Sequence, residues 1–316
     1  MSSTDEIAVD FPPYVRVYKD GRVERLRGTD IVPPSIDPKT GVSSKDVSIL
    51  PESGVSARLF LPKLTEPTHK LPILVHYHGG GFLIETPFSP LLHNYLNALV
   101  AEANVLVVSV HYRRAPENPL PTAYDDSWTA LQWTASHANC GSEAWLKDHG
   151  DFTRLFVSGE SAGGNIAHHI AMRAGSHELD HGVKIYGAIL VHPFFWGTEA
   201  IGNEMKDPAT QAKMERLWMF VCPSTTGLDD PLINPTAVGA PSLKGLGCKR
   251  VFVCVTGIDA LRDRGWLYHH ALTSSGWEGN VEMFETEGED HVFHVLKPSS
   301  EKAVVLMRRL AAFLNH

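Results

Sequence analysis

The stretch FVSGESAGGNIAHH, residues 156–169, decides how this chain is read. An apolar, β-branched run over 154–158 predicts a strand, and a helical pattern follows at once over 165–174. Between them stand Gly159, Glu160, Ser161, Ala162, Gly163 and Gly164. Glycine lets a backbone bend where a side chain would clash, so Ser161 is expected at the tip of a tight turn with its hydroxyl exposed. The helix that follows would add free N–H groups and a partial positive charge. Gly159-x-Ser161-x-Gly163 is thus a candidate nucleophile elbow. The five-residue pattern alone is weak, because Gly and Ser are common enough for it to arise by chance in roughly one chain in ten of this length. The strand before it and the helix after it give it weight.

Working outward, short apolar runs predict further strands over 57–61, 72–77, 104–110, 186–192, 250–255 and 281–284. Helical patterns lie over 92–103, 124–137, 264–274 and 300–314. Strand alternating with helix predicts an α/β fold with a mostly parallel central sheet and helices on both faces; the earliest strands are free to be antiparallel. Two regions break the alternation, about 1–50 and about 197–246. Both are expected to form a small cap on a single domain spanning 1–316.

The formal charge of −8 at pH 7, with no basic block, argues against nucleic acid as a partner. No apolar run reaches 18 residues, so no membrane span is expected. The polar, acidic start resembles neither a secretory signal nor a transit peptide. Cys140, Cys222, Cys248 and Cys254 form no CxxC pair and are expected to be free thiols in a reducing compartment, the cytoplasm.

A serine hydroxyl needs a base, the base needs an orienting acid, and a developing oxyanion needs waiting donors. In an α/β-hydrolase fold these occur in the order oxyanion loop, Ser, acid, His. His78-Gly79-Gly80-Gly81-Phe82 follows a buried strand and is the candidate loop. Its donors would be Gly80 and either Gly79 or Gly81, joined by the N–H of Ala162. Asp259 falls directly after the 250–255 strand and is the expected acid. Asp263 is its rival, with helix capping or pairing to Arg262 or Arg264 as its ordinary roles. His291 falls after the last strand and is the expected base. His294 is the alternative, read as a packing residue, while His269 and His270 fit structural roles in a helix.

With these parts in order, the chain closely resembles the plant carboxylesterases of the hormone-sensitive-lipase group. The residues that carry the likeness are HGGGF (78–82), YRRAPENPLPTAYDD (112–126), GESAGGNIAHH (159–169), DPLINP (230–235), DALRDRG (259–265) and GEDHVFH (288–294). The resemblance implies a triad of Ser161, Asp259 and His291 and an oxyanion hole from Gly79, Gly80, Gly81 and Ala162. Glu160 and Arg114 depart from the usual Asp and Leu, at positions expected to carry no chemistry. The same group holds gibberellin receptors, which lack the triad histidine, and 2-hydroxyisoflavanone dehydratases, which eliminate water on the same frame. His291 disfavours a receptor, and Ser161 with the full triple-glycine loop leans toward an esterase over a lyase.

The expected substrate is a small to medium, apolar or aromatic carboxylic ester. Phe82, Phe194, Phe195, Trp196, Trp218, Met219 and Phe220 are candidate pocket residues. Hydrolysis by this route needs no cofactor and no metal. His76 with His78, and His168 with His169, are read as packing residues because no acidic partner is evident.

Overall fold

The computed structural model describes residues 6–316 other than 67 and 69, and for residues 205 and 206 the backbone alone. Residues 1–5 of the expected 1–50 cap segment lie outside the described residues. The chain begins with three short strands, β1 (Ile7–Phe11), β2 (Val15–Tyr18) and β3 (Val23–Arg25). Next come β4 (Ser43–Leu50), β5 (Val55–Leu61), β6 (Leu71–Tyr77), α1 (Pro90–Ala103), β7 (Leu106–His111), α2 (Thr122–Ser136) and α3 (Ala144–His149). After these follow β8 (Gly150–Glu160), α4 (Ala162–Ala174), β9 (Ile185–Val191) and α5 (Pro208–Val221). The chain closes with β10 (Arg250–Thr256), α6 (Arg262–Ser274), β11 (Asn280–Thr286), α7 (Phe293–Leu296) and α8 (Glu301–Asn315).

Eight strands form one sheet in the order β11-β10-β9-β8-β6-β7-β5-β4. The pairs from β11 to β7 are parallel, whereas β7–β5 and β5–β4 are antiparallel. Side chains alternate across such a sheet. Ile73, Val75 and Val157 therefore join a core with α2, α4 and α6, while Leu74, Phe156 and Ile189 join one with α1 and α8 on the other face. With both faces covered, β6 is buried along its whole length, as its unbroken apolar run requires.

Two regions differ from the sequence expectation. β4 is the edge strand of the main sheet, so a cap reaching residue 50 overruns the small N-terminal sheet, which ends at Arg25. Its sequence SSKDVSIL sends Val47 and Ile49 to the core and mixes polar residues between them. An edge strand of that kind has no continuous apolar signal. The second is α5, a helix inside the 197–246 region. Asp207 caps it by accepting from the N–H groups of Ala209 and Thr210 at 3.2 and 3.1 Å, and Pro208 takes its first position. β1 packs on this helix. Phe11 stacks on Phe220 with ring centroids 5.6 Å apart, and Arg216 Nη2 donates to the Asp10 carbonyl at 2.6 Å.

Candidate active site

β8 ends at Glu160 and α4 begins at Ala162, so Ser161 stands alone at the junction. Its φ of 56° lies in the left-handed region, a costly conformation for a residue with a Cβ. Its surroundings hold it there: the Ser161 N–H donates to the Val191 carbonyl at 2.9 Å, and its carbonyl accepts from the Phe194 N–H at 2.9 Å. The flanking glycines are steric necessities. A Cβ on Gly163 would stand 1.9 Å from the Tyr77 carbonyl oxygen, and one on Gly159 would stand 2.3 Å from the Gly163 backbone.

Asp259 follows β10, and His291 lies in the loop between β11 and α7. His291 Nε2 is 2.9 Å from Ser161 Oγ, and His291 Nδ1 is 2.7 Å from Asp259 Oδ2. The other Asp259 oxygen accepts from the Leu261 N–H at 3.0 Å, which fixes the plane of the carboxylate. Asp259 is buried, and the imidazole edge of His291 is open to the site. Asp263 is engaged elsewhere, accepting from Arg262 at 2.7 Å and from the Asn203 N–H at 2.6 Å. His294 is buried against Tyr95 and His192, and burial lowers its pKa to about 4.

The loop after β6 differs from expectation at one glycine. The Gly79 N–H donates to Glu160 Oε1 at 2.7 Å, so it is not free for an oxyanion. The N–H groups of Gly80, Gly81 and Ala162 have no acceptor among the described residues. Gly80 and Gly81 have φ of 102° and 62°. At Gly80 a Cβ would also meet the Ile84 carbonyl at 2.3 Å. The loop is clamped from outside: Arg114 Nη1 donates to the Glu85 carbonyl at 2.7 Å and Arg25 Nε to the Leu83 carbonyl at 2.8 Å.

Glu160 is the residue that sequence reasoning undervalued. It is buried, with Oε1 on Gly79 and Oε2 3.1 Å from His76 Nε2, while His76 Nδ1 lies 3.0 Å from Ser158 Oγ. The Gly79–Glu160 bond ties the turn at Ser161 to the glycine loop after β6. No sequence signal links residues 79 and 160, because the contact exists only once β6 and β8 pair. His168 and His169 bond Tyr268 and the Leu232 carbonyl, which are packing roles. Among the described residues, one trio has donor atoms within 4.8 Å of one another, the spacing a metal needs: His192, Asp259 and His291. Asp259 and His291 already bond each other.

Comparison with known proteins matches residues 74–295 to a family model described as the alpha/beta hydrolase fold. This chain belongs to the α/β-hydrolase fold family. It is 47% identical to the probable carboxylesterase 2 of Arabidopsis thaliana, across 99% of this chain and 98% of that protein. It is 46% identical to a 2-hydroxyisoflavanone dehydratase of Glycine max, across 98% and 99%. Among solved structures, a hyperthermophilic esterase from the archaeon Pyrobaculum calidifontis matches with a TM-score of 0.70 and 26% identity, over 86% of this chain and 84% of that one.

In this hydrolase Ser161 and His291 open onto a cavity of about 810 Å³. Of the expected pocket residues, Phe194 and Trp196 line it; Phe82, Phe195, Trp218, Met219 and Phe220 do not. α5 explains part of the difference. Thr210, Lys213, Met214 and Leu217 recur at helical spacing and face the cavity. Residues 218–220 therefore point elsewhere: Trp218 Nε1 donates to Thr225 Oγ1 at 2.8 Å, Met219 is 47% exposed, and Phe220 stacks on Phe11. Phe82 is buried between Tyr124 and Trp218, and Phe195 packs on Tyr268. Ile84, Leu91, Val295 and Leu296 supply apolar wall that the sequence did not single out.

Proposed function

We propose that this α/β hydrolase is a serine carboxylesterase working through an acyl-enzyme. The observation that carries the reading is the continuous hydrogen-bonded path from Asp259 through His291 to Ser161, next to free N–H groups at Gly80, Gly81 and Ala162. In the first step Ser161 Oγ attacks the ester carbonyl as His291 Nε2 takes its proton. Asp259 holds the ring in the tautomer that leaves Nε2 free to accept, and stabilises the imidazolium. The three N–H groups receive the oxyanion. His291 then passes the proton to the departing alcohol. In the second half-reaction it activates water, which releases the acid and restores Ser161.

The apolar wall of Ile84, Leu91, Phe194, Met214, Leu217 and Leu296 supports small to medium esters with an apolar or aromatic arm. β1–β3 together with residues 197–246 form the cap over this arm. None of the four cysteines is paired in a disulfide, which fits a reducing compartment; the cytosol is the one we propose. A fluorophosphonate is expected to label Ser161 covalently, and a panel of acyl esters run beside Ser161→Ala tests the activity. Absence of both labelling and ester cleavage in the wild-type chain overturns the reading. The likeness to a protein named as a dehydratase supports a second reading, elimination of water from a hydroxyisoflavanone on the same frame. Faster release of water than ester cleavage would favour it.

A further inference from the structure

His192 stands one residue past β9 and takes part in no step above. It is buried, at 1% exposure, and has a φ of 47°. Its own N–H donates to the Cys254 carbonyl at 2.8 Å, which pins it to β10. Its Nδ1 accepts from the N–H of Val292 at 3.0 Å. Val292 directly follows His291 and has a φ of 48°. A β-branched residue in the left-handed region is strained and returns to a relaxed conformation unless its neighbours prevent it. Val292 is held on both sides: its carbonyl accepts from Val295 and Leu296, and its N–H is caught by His192.

We propose that His192 is a positioning residue, a hook whose Nδ1 lone pair holds the Val292 peptide and so keeps the preceding imidazole of His291 on Ser161. The inference rests on the hydrolase reading above and deepens it. The hooked N–H belongs to the peptide bond that joins His291 to Val292, so its release moves the base directly. A ring nitrogen of His192 lies within 4.8 Å of both an Asp259 oxygen and a His291 nitrogen, although it bonds neither.

The hook requires an unprotonated Nδ1, and therefore the Nε2–H tautomer of a neutral ring. The groups facing His192 are Phe293, His294 and His291, with Asp259 behind. Burial, reinforced by His294 and His291, holds its pKa well below the ordinary value, so the lone pair stays available across the working range. A cationic ring would present an N–H to another N–H and break the contact.

The side-chain amides provide the test. His192→Asn would place an Oδ1 acceptor near the position of Nδ1, whereas His192→Gln would place its Oε1 near that of Nε2. Kinetics on p-nitrophenyl acetate are compared for wild type, His192→Asn, His192→Gln and His192→Leu. We expect kcat to fall on the order of 10- to 100-fold in the Gln and Leu proteins with KM within about twofold, and the Asn protein to stay within a few-fold of wild type. Amide hydrogen exchange of the peptide spanning 290–294 should rise in the Gln protein and remain protected in the Asn protein. Gln and Asn proteins equal in both measurements overturn the hook, as does unchanged kcat in the Leu protein. Exchange reads the hook whether or not the wild type turns over any ester, so failure of the hook and failure of the hydrolase reading are seen separately.

Discussion

The consequences of Ser161 and Glu160 can be separated at the level of single side chains. Ser161→Ala removes the proposed nucleophile and is expected to lower kcat by about 10⁴-fold or more, leaving only what binding and the proposed oxyanion donors supply; steady-state hydrolysis and loss of fluorophosphonate labelling check it. Glu160→Ala leaves the Gly79 N–H without its buried acceptor and removes the carboxylate 3.1 Å from His76 Nε2. A buried donor stripped of its acceptor costs about 1–3 kcal/mol, so a lower melting temperature is expected. The loosened loop should also cut kcat by roughly 10-fold while KM changes little. Glu160→Gln keeps an acceptor for Gly79 and should lie between. The sequence made Ser161, Asp259 and His291 legible because each follows a predicted strand and their order matches one fold. It left the choice between Gly79 and Gly81 open, because the acceptor that occupies the Gly79 N–H is a side chain 81 positions away.

Among the elements, α5 shows where reading from sequence stopped. Its residues Pro208–Val221 lie in a region rich in Pro and Gly, and without a helix assigned there no face of it could be assigned to the cavity. Once the helix is present, the spacing of Met214 and Leu217 decides which residues line the cavity. Leu217→Trp is expected to fill the cavity, raising KM for aryl and long-chain esters on the order of 10-fold while acetate esters change by less than about threefold; a KM series over acyl length checks it. A second element-scale contact joins α6 to the segment before α5. Arg264 makes two bonds to Glu204, at 2.8 and 2.7 Å, and both side chains are buried. Arg264→Met leaves Glu204 buried without its cation, which costs about 3–5 kcal/mol in comparable buried pairs. Chemical denaturation should show that loss.

Considered as a whole, the molecule was most legible where strands are buried on both faces and least where they are not. β6, β7, β9 and β10 announce themselves as apolar runs, whereas β1–β4 are short or mixed because solvent touches them. The buried histidines give the whole fold an acid limit. Burial holds His78 and His168 well below the ordinary value and lowers His169 and His294 to about 4. An unfolded histidine takes its proton near pH 6.5, so between there and pH 4 the unfolded chain binds more protons than the folded one. Stability is therefore complete above about 6.5 and falls as the pH drops through that window, by up to about 1.4 kcal/mol per pH unit for each such group. Melting temperature against pH checks the slope, and His294→Phe should flatten it. The small N-terminal sheet carries a different consequence. Arg25 grips the Leu83 and Ala115 carbonyls and Glu117, yet the chain that leads from it to β4 carries Ile31 and Ile36, each 71% exposed. A protease that clips this tether leaves the small sheet held only by noncovalent contacts, those of Arg25 and the packing of Phe11 on Phe220 among them, so the nicked protein should keep its circular dichroism and its two pieces should co-elute until denaturant releases the N-terminal fragment.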